Sequence, residues 1–299
     1  MSGRVEQLLD AAMVAAIERL DVLSRRQPRG SREGERRSRR RGQGMEFADF
    51  RPYAPGDDLR FVDWNIYGRM ERLFMRIFLE EEDLGLLVLV DGSASMGVGT
   101  PTKFEVARRM AMALAYIGLV NQHRVTLGML KDASCERLAG LRGRRKAGEC
   151  AAWLLDRAPE GALRFEAACR VAAEGRHGRG VAIVISDFLV TDDLDRGLQA
   201  LVTRGWDVVA LQVLATEDVS PASHGIVGDL RLVDVEDASE TEVTVSEALL
   251  REHRRRLQAH NAQLRETCAR LGIRHLAVDT DVDLPRLMME TMRRGGVLR

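Results

Sequence analysis

Asp91, Ser93 and Ser95 stand at alternate positions directly after the unbroken apolar run Leu86–Val90. Alternate residues of an extended or looped segment point the same way, so this spacing can gather one carboxylate and two hydroxyls at a single point. A set of oxygens alone suits a hard cation such as Mg²⁺ or Mn²⁺, which retains several waters and takes few protein carboxylates. A second apolar run, Val181–Ser186, also stops at a carboxylate, Asp187. Two buried strands that each end in an aspartate are what a shared site on one sheet edge requires. A helix-capping turn without an ion is the plainer explanation of Asp91, Ser93 and Ser95.

The elements that must position these groups follow from periodicity. Strand-like runs cover Leu86–Val90, Arg124–Leu130, Val181–Ser186, Asp207–Leu214 and Arg274–Val278. Helical spacing falls between them near 103–120, 145–157, 162–174 and 192–204, with a long helix at 246–271 opened by Ser246 and closed by Gly272. Apolar strands alternating with helices predict an α/β fold, a doubly wound and mostly parallel sheet with helices on both faces. Ligands of such sheets sit beyond the carboxyl ends of the strands, which is where Asp91 and Asp187 fall. The run 131–138 reads as a further short strand, and 230–235 with 241–245 as a hairpin. Leu250, Leu257, Leu264 and Leu271 recur every seven residues and predict a stripe docked on the sheet. Ahead of the sheet, residues 4–24 read as one amphipathic helix. An Arg-rich linker follows, and 72–79 reads as a strand after a turn at Tyr53–Asp58. The expected organisation is 1–44 as helix and linker, 45–82 as a β-rich extension, and 83–299 as the α/β domain.

Composition narrows the function classes. The 299 residues are 45% hydrophobic and 30% charged with a formal net charge of zero, so nothing global favours nucleic acid or a membrane surface. The exception is Arg25–Arg41, whose nine Arg and two Glu carry +7. That segment has no aromatic residue to stack on bases, and a solvated linker or a tail for an acidic protein fits it better than specific nucleic-acid readout. Cys135, Cys150, Cys169 and Cys268 lack paired spacing, no apolar run approaches the ~18 residues of a membrane span, and the N-terminus has no secretory pattern. The expectation is a cytoplasmic protein. The cluster Asp57, Asp58, Arg60, Asp63 and Trp64 reads as fixing a turn, with Arg51 or Arg69 as ion-pair partners, rather than as paired acid and base. Gly97-Val-Gly99 completes neither a P-loop nor a dinucleotide fingerprint, and no nucleophile elbow is present.

Asp91-Gly-Ser-Ala-Ser95 resembles the metal-ion-dependent adhesion motif of von Willebrand factor type A domains. The wider text, from Gly44-Met-Glu-Phe-Ala-Asp-Phe-Arg-Pro-Tyr-Ala-Pro-Gly-Asp-Asp through Trp64 and on to Asp91–Met96, resembles the domain-of-unknown-function 58 family from about Arg36 to the C-terminus. That resemblance implies a type A-like domain in a bacterial protein and a protein-interaction role, as an adaptor of a MoxR-type AAA+ ATPase or its client. It implies Asp91, Ser93 and Ser95 as ligands of Mg²⁺ or Mn²⁺, with Asp187 as the acidic residue of the later strand. Type A domains add a Thr from another loop; here the matching loop, Pro159–Arg164, has none, and Glu160 or a water would take its place. The alternatives are a metal-dependent hydrolase using Asp91 and Asp187, and a scaffold whose metal site has decayed.

Overall fold

The computed structural model describes residues 3–25, 46–57, 59–79, 84–174, 180–190, 192–236 and 239–299, with the backbone alone at 46–49, 61 and 76–79. Most of the Arg-rich segment, and Asp58, lie outside the described residues. The chain forms two compact units, Met1–Pro28 with Leu84–Arg299, and Arg29–Asp83.

At the N-terminus the single helix expected over 4–24 is two short ones, α1 (Gly3–Leu8) and α2 (Ala11–Ile17). Asp10 divides them. Its carboxylate accepts the Met13 N–H at 2.7 Å and caps α2, a local bond that competes with a continuous helix. Beyond α2 the chain is extended enough for Val22 to bridge Leu298, and Asp21 meets both His123 and Arg299. These residues are thereby stitched into the larger unit.

The smaller unit pairs β1 (Glu46–Pro52) with β2 (Phe74–Leu79) antiparallel, around α3 (Trp64–Met70). Arg51 grips Asp57 through two hydrogen bonds of 2.7 Å, and Asp63 caps α3 by accepting the Asn65 and Ile66 N–H groups at 2.8 and 3.0 Å. Both carboxylates therefore have structural work, as the turn-fixing reading expects.

The larger unit holds β3 (Gly85–Asp91), α4 (Lys103–Val120), β4 (Arg124–Lys131), β5 (Ser134–Leu141), α5 (Ala147–Leu155), α6 (Phe165–Ala173), β6 (Gly180–Ser186), α7 (Leu194–Thr203), β7 (Trp206–Leu214), α8 (Thr216–Val219), the hairpin β8 (Gly228–Val233) and β9 (Glu240–Val245), α9 (Glu247–Leu271) and β10 (Arg274–Asp279). Its six-stranded sheet has the order β10-β7-β6-β3-β4-β5, parallel except where β5 turns back antiparallel on β4.

Period-two alternation in the strands divides the core. Leu86, Val88, Val90, Ile183 and Ile185 share one buried cluster with α4 and with α1, α2 and α5, while Leu87, Leu89, Ala182 and Val184 share a second with α6, α7 and the end of α9. All seven residues of β6 are buried, and each large aliphatic among them contributes ~1.5–3 kcal/mol on leaving water. This is the doubly covered parallel sheet that the uninterrupted apolar runs predict. The leucine stripe of α9 is used only toward its end: Leu264 is buried, whereas Leu250, Leu257 and Leu271 are partly exposed.

From β3 the chain steps to β4 on one side, and after α5 and α6 it returns to β6 on the other. The order therefore reverses between β3 and β6, and a crevice at the strand ends opens at such a switch.

Candidate functional site

At the end of β3, Gly92 allows the chain to leave the strand against β4. Its N–H donates to the Leu130 carbonyl at 2.9 Å, and a Cβ there would lie 2.9 Å from Met129 Sδ and 3.0 Å from that carbonyl. The turn brings Ser93 back over Asp91. Its N–H and Oγ donate to Asp91 Oδ1 at 2.9 and 2.6 Å, and its Oγ lies 3.0 Å from Ser95 Oγ. Asp91 and Ser93 are buried and Ser95 is half-buried. The 159–164 loop closes the far side through its backbone: the Glu160 N–H donates to the Gly92 carbonyl and the Ala94 N–H to that of Gly161, each at 2.8 Å. The Glu160 side chain does not replace the missing Thr. It reaches instead to Lys131 Nζ at 2.5 Å.

The neighbouring strand supplies the rest. Ser186 Oγ donates to Asp91 Oδ2 at 2.6 Å, so three donors now serve one carboxylate, and it accepts the Phe188 N–H at 2.8 Å. Phe188 has a left-handed φ of 56°, which costs on the order of 1 kcal/mol for a bulky residue. It is held there by complete burial, by edge-on packing against Phe165 at 5.8 Å, and by His260, whose Nε2 lies 2.8 Å from its carbonyl oxygen. This tight turn folds the Leu189 N–H onto Asp187 Oδ1 at 2.9 Å and leaves Asp187 Oδ2 facing Lys103.

Lys103 is the residue that sequence reasoning missed. Its ammonium donates to Asp187 Oδ2 at 2.6 Å and lies 3.2 Å from Asp218 Oδ2, with its side chain 3% exposed. Asp218 comes from α8, beyond the end of β7, and also accepts the Ala215 N–H at 3.0 Å. Three adjacent strand ends thus contribute one carboxylate each. A signal was available: Lys103 follows the N-cap Thr102 directly, in the turn where the helix end is partly positive and a cation is disfavoured unless something else holds it. Ser186 gave no comparable signal, because a serine ending a strand is common.

The electrostatics match the geometry. Burial and the nearby charge of Asp187 push Asp91 up to about 6, against the pull of its Ser186 and Ser93 hydrogen bonds. Burial opposes the charge of Lys103, but Asp187 and Asp218 outweigh it and hold the ammonium above its usual range.

For a divalent ion the donor chemistry is half-built. Asp91, Ser93 and Ser95 present oxygens of the right kind within hydrogen-bond distance of one another. On the other side, Asp187 is already neutralised by Lys103 and Glu160 is turned away. A divalent ion that shared Asp187 with that ammonium would stand ~5 Å from it and meet a repulsion of roughly 5–7 kcal/mol at an effective dielectric of ~20. The residues as arranged do not fit it. As a reaction centre the cluster is equally constrained, since Asp91 and Asp187 are 0% and 1% exposed.

Comparison with known proteins places the molecule. The family described as "Protein of unknown function DUF58" matches residues 49–265. The chain is 29% identical over 280 residues to the uncharacterized protein Rv1480 of Mycobacterium tuberculosis, covering 92% of this chain and 87% of that one. It is 33% identical over 123 residues to the uncharacterized protein MAV169 of Mycobacterium avium, covering 40% of this chain and 70% of the other. Among solved structures, the SpRpn10 VWA domain aligns with 15% identity and a TM-score of 0.39 over 70% of this chain and 94% of that chain. Among the described residues no helix is long and apolar enough to cross a membrane. The larger unit is an α/β domain built on a mostly parallel six-stranded sheet, and the chain belongs to the DUF58 family.

Proposed function

We propose that this protein is an interaction module that docks a protein partner on the strand-end edge formed by Asp91, Ser93, Ser95, Ser186 and Asp187. The observation that carries this reading is the edge's make-up. Its carboxylates are sealed by hydrogen bonds and by Lys103, while apolar side chains close to them in sequence reach solvent: Val98 is 36% exposed, Leu189 39% and Val219 41%. A polar centre that is fully satisfied and bordered by exposed apolar groups is suited to being covered by another protein surface. It is poorly suited to hydrolysis, because neither aspartate can reach a substrate or water as base or nucleophile.

The partner in this proposal is a MoxR-type AAA+ ATPase or its client, on the strength of the family resemblance, and the setting is the cytoplasm of a bacterium. Ser95, the half-buried hydroxyl of the cluster, is the polar group available to that partner. The adhesion-type reading, in which Mg²⁺ or Mn²⁺ on Asp91, Ser93 and Ser95 bridges to an acidic group of the partner, draws support from the convergence of those three side chains alone. The test is the affinity of the chain for a MoxR-type ATPase from the same organism. Leu189→Asp and Val98→Asp should each weaken it about tenfold or more by placing a charge in the covered zone. Affinities unchanged by both substitutions would remove the edge from the interface.

A further inference from the structure

A lysine buried against Asp187, a carboxylate expected to hold a metal, requires a reason. Lys103 has an exposure of 2%, and both carboxylates it meets come from other strand ends, Asp187 after β6 and Asp218 after β7. A buried ammonium is retained only where paired and hydrogen-bonded, and this pairing spans 84 residues of sequence to Asp187. The backbone holds it in place as well: the capping box of Thr102 and Glu105 fixes the start of α4, and the Lys103 N–H donates to the Val98 carbonyl at 3.1 Å. Lys103 is thus presented to the carboxylates from a rigid helix end that starts eight residues after Ser95.

We propose that Lys103 is the resident cation of this site, its ammonium serving Asp187 and Asp218 in place of a divalent ion. The edge is then assembled without metal, and chelators leave it intact. The proposal stands whether or not the edge docks a protein, because it concerns only what neutralises these side chains. Asp91, Ser93 and Ser95 remain as half of an adhesion-type site that becomes usable once the ammonium is removed.

The experiment is a Mn²⁺ titration of the full chain by calorimetry, with thermal melts in Mn²⁺ and in EDTA. Wild type should show no saturable Mn²⁺ binding and equal melting temperatures in both. Lys103→Met should bind Mn²⁺ saturably and melt higher in Mn²⁺ than in EDTA, a gain that the added change Ser95→Ala removes. Saturable Mn²⁺ binding to wild type that Asp91→Ala abolishes would overturn the proposal. So would a folded Lys103→Met that ignores Mn²⁺. Should Lys103→Met fail to fold, Lys103→Gln takes its place with the same expected gain, and the wild-type titration decides against the proposal on its own if it saturates.

Discussion

Replacing Lys103 by Met keeps the length and apolar stem of the side chain but removes the charge. Asp187 would then be a carboxylate at 1% exposure whose Oδ2 has lost its 2.6 Å partner. Removing one member of a buried pair leaves the other desolvated and uncompensated, which costs roughly 3–5 kcal/mol. Asp218, with a side chain 20% exposed, retains solvent and its bond from the Ala215 N–H, so most of the loss falls on Asp187. For a unit of this size the same loss lowers the melting temperature by roughly 6–20 °C. Urea denaturation of Lys103→Met, Asp187→Asn and the double variant completes a thermodynamic cycle. The double variant should be clearly more stable than the two separate losses added together, with a coupling of roughly 2–3 kcal/mol. A loss below ~1 kcal/mol for Lys103→Met, or strict additivity, would refute the pairing as described.

Two other perturbations probe β3 and β6, one at each end of the pair. Asp91 sits above its ordinary value, at about 6 against 3.8, so the folded state binds its proton more tightly than the unfolded state does. Stability from this group is therefore present below about pH 4 and is lost as pH rises to about 6, by roughly 3 kcal/mol in all; Asp91→Asn should lack that fall in urea denaturation across the window, and parallel pH profiles would contradict the assignment. Gly180 opens β6 where a Cβ would lie 2.4 Å from the Gly85 carbonyl oxygen and 2.7 Å from the Trp206 ring. Gly180→Ala should cost ~1–3 kcal/mol in a thermal melt, because backbone cannot give way as a side chain does; a neutral effect would mean that β3 and β6 separate freely.

Much of this fold is legible in the sequence, for a reason particular to parallel sheets. Runs such as Val181–Ser186 are apolar on both faces, and only a strand covered on both sides accommodates that. The span of α4 is equally clear, between the cap at Thr102 and the polar Asn121, and Asp91 and Asp187 can be assigned to one edge because each ends such a run. Local competition hid other features. Asp10 offers an N-cap inside what reads as one amphipathic helix, and periodicity cannot show which bond wins. β5 returns antiparallel after a short turn at Asp132, so the sheet is not parallel throughout. The most consequential omission is Lys103, whose partners lie 84 and 115 positions further along the chain. A D-x-S-x-S motif read alone points to a metal, and only the assembled strand ends reveal a cation already supplied by the chain.

In the proposed function, partners meet the protein at the carboxyl edge of the sheet. Amide hydrogen exchange of the full chain, alone and with a saturating MoxR-type ATPase, tests it most directly. Added protection is expected at 91–98, 187–190 and 215–219, the same in EDTA as in Mg²⁺. Protection confined to other segments, with these three unchanged, would contradict it.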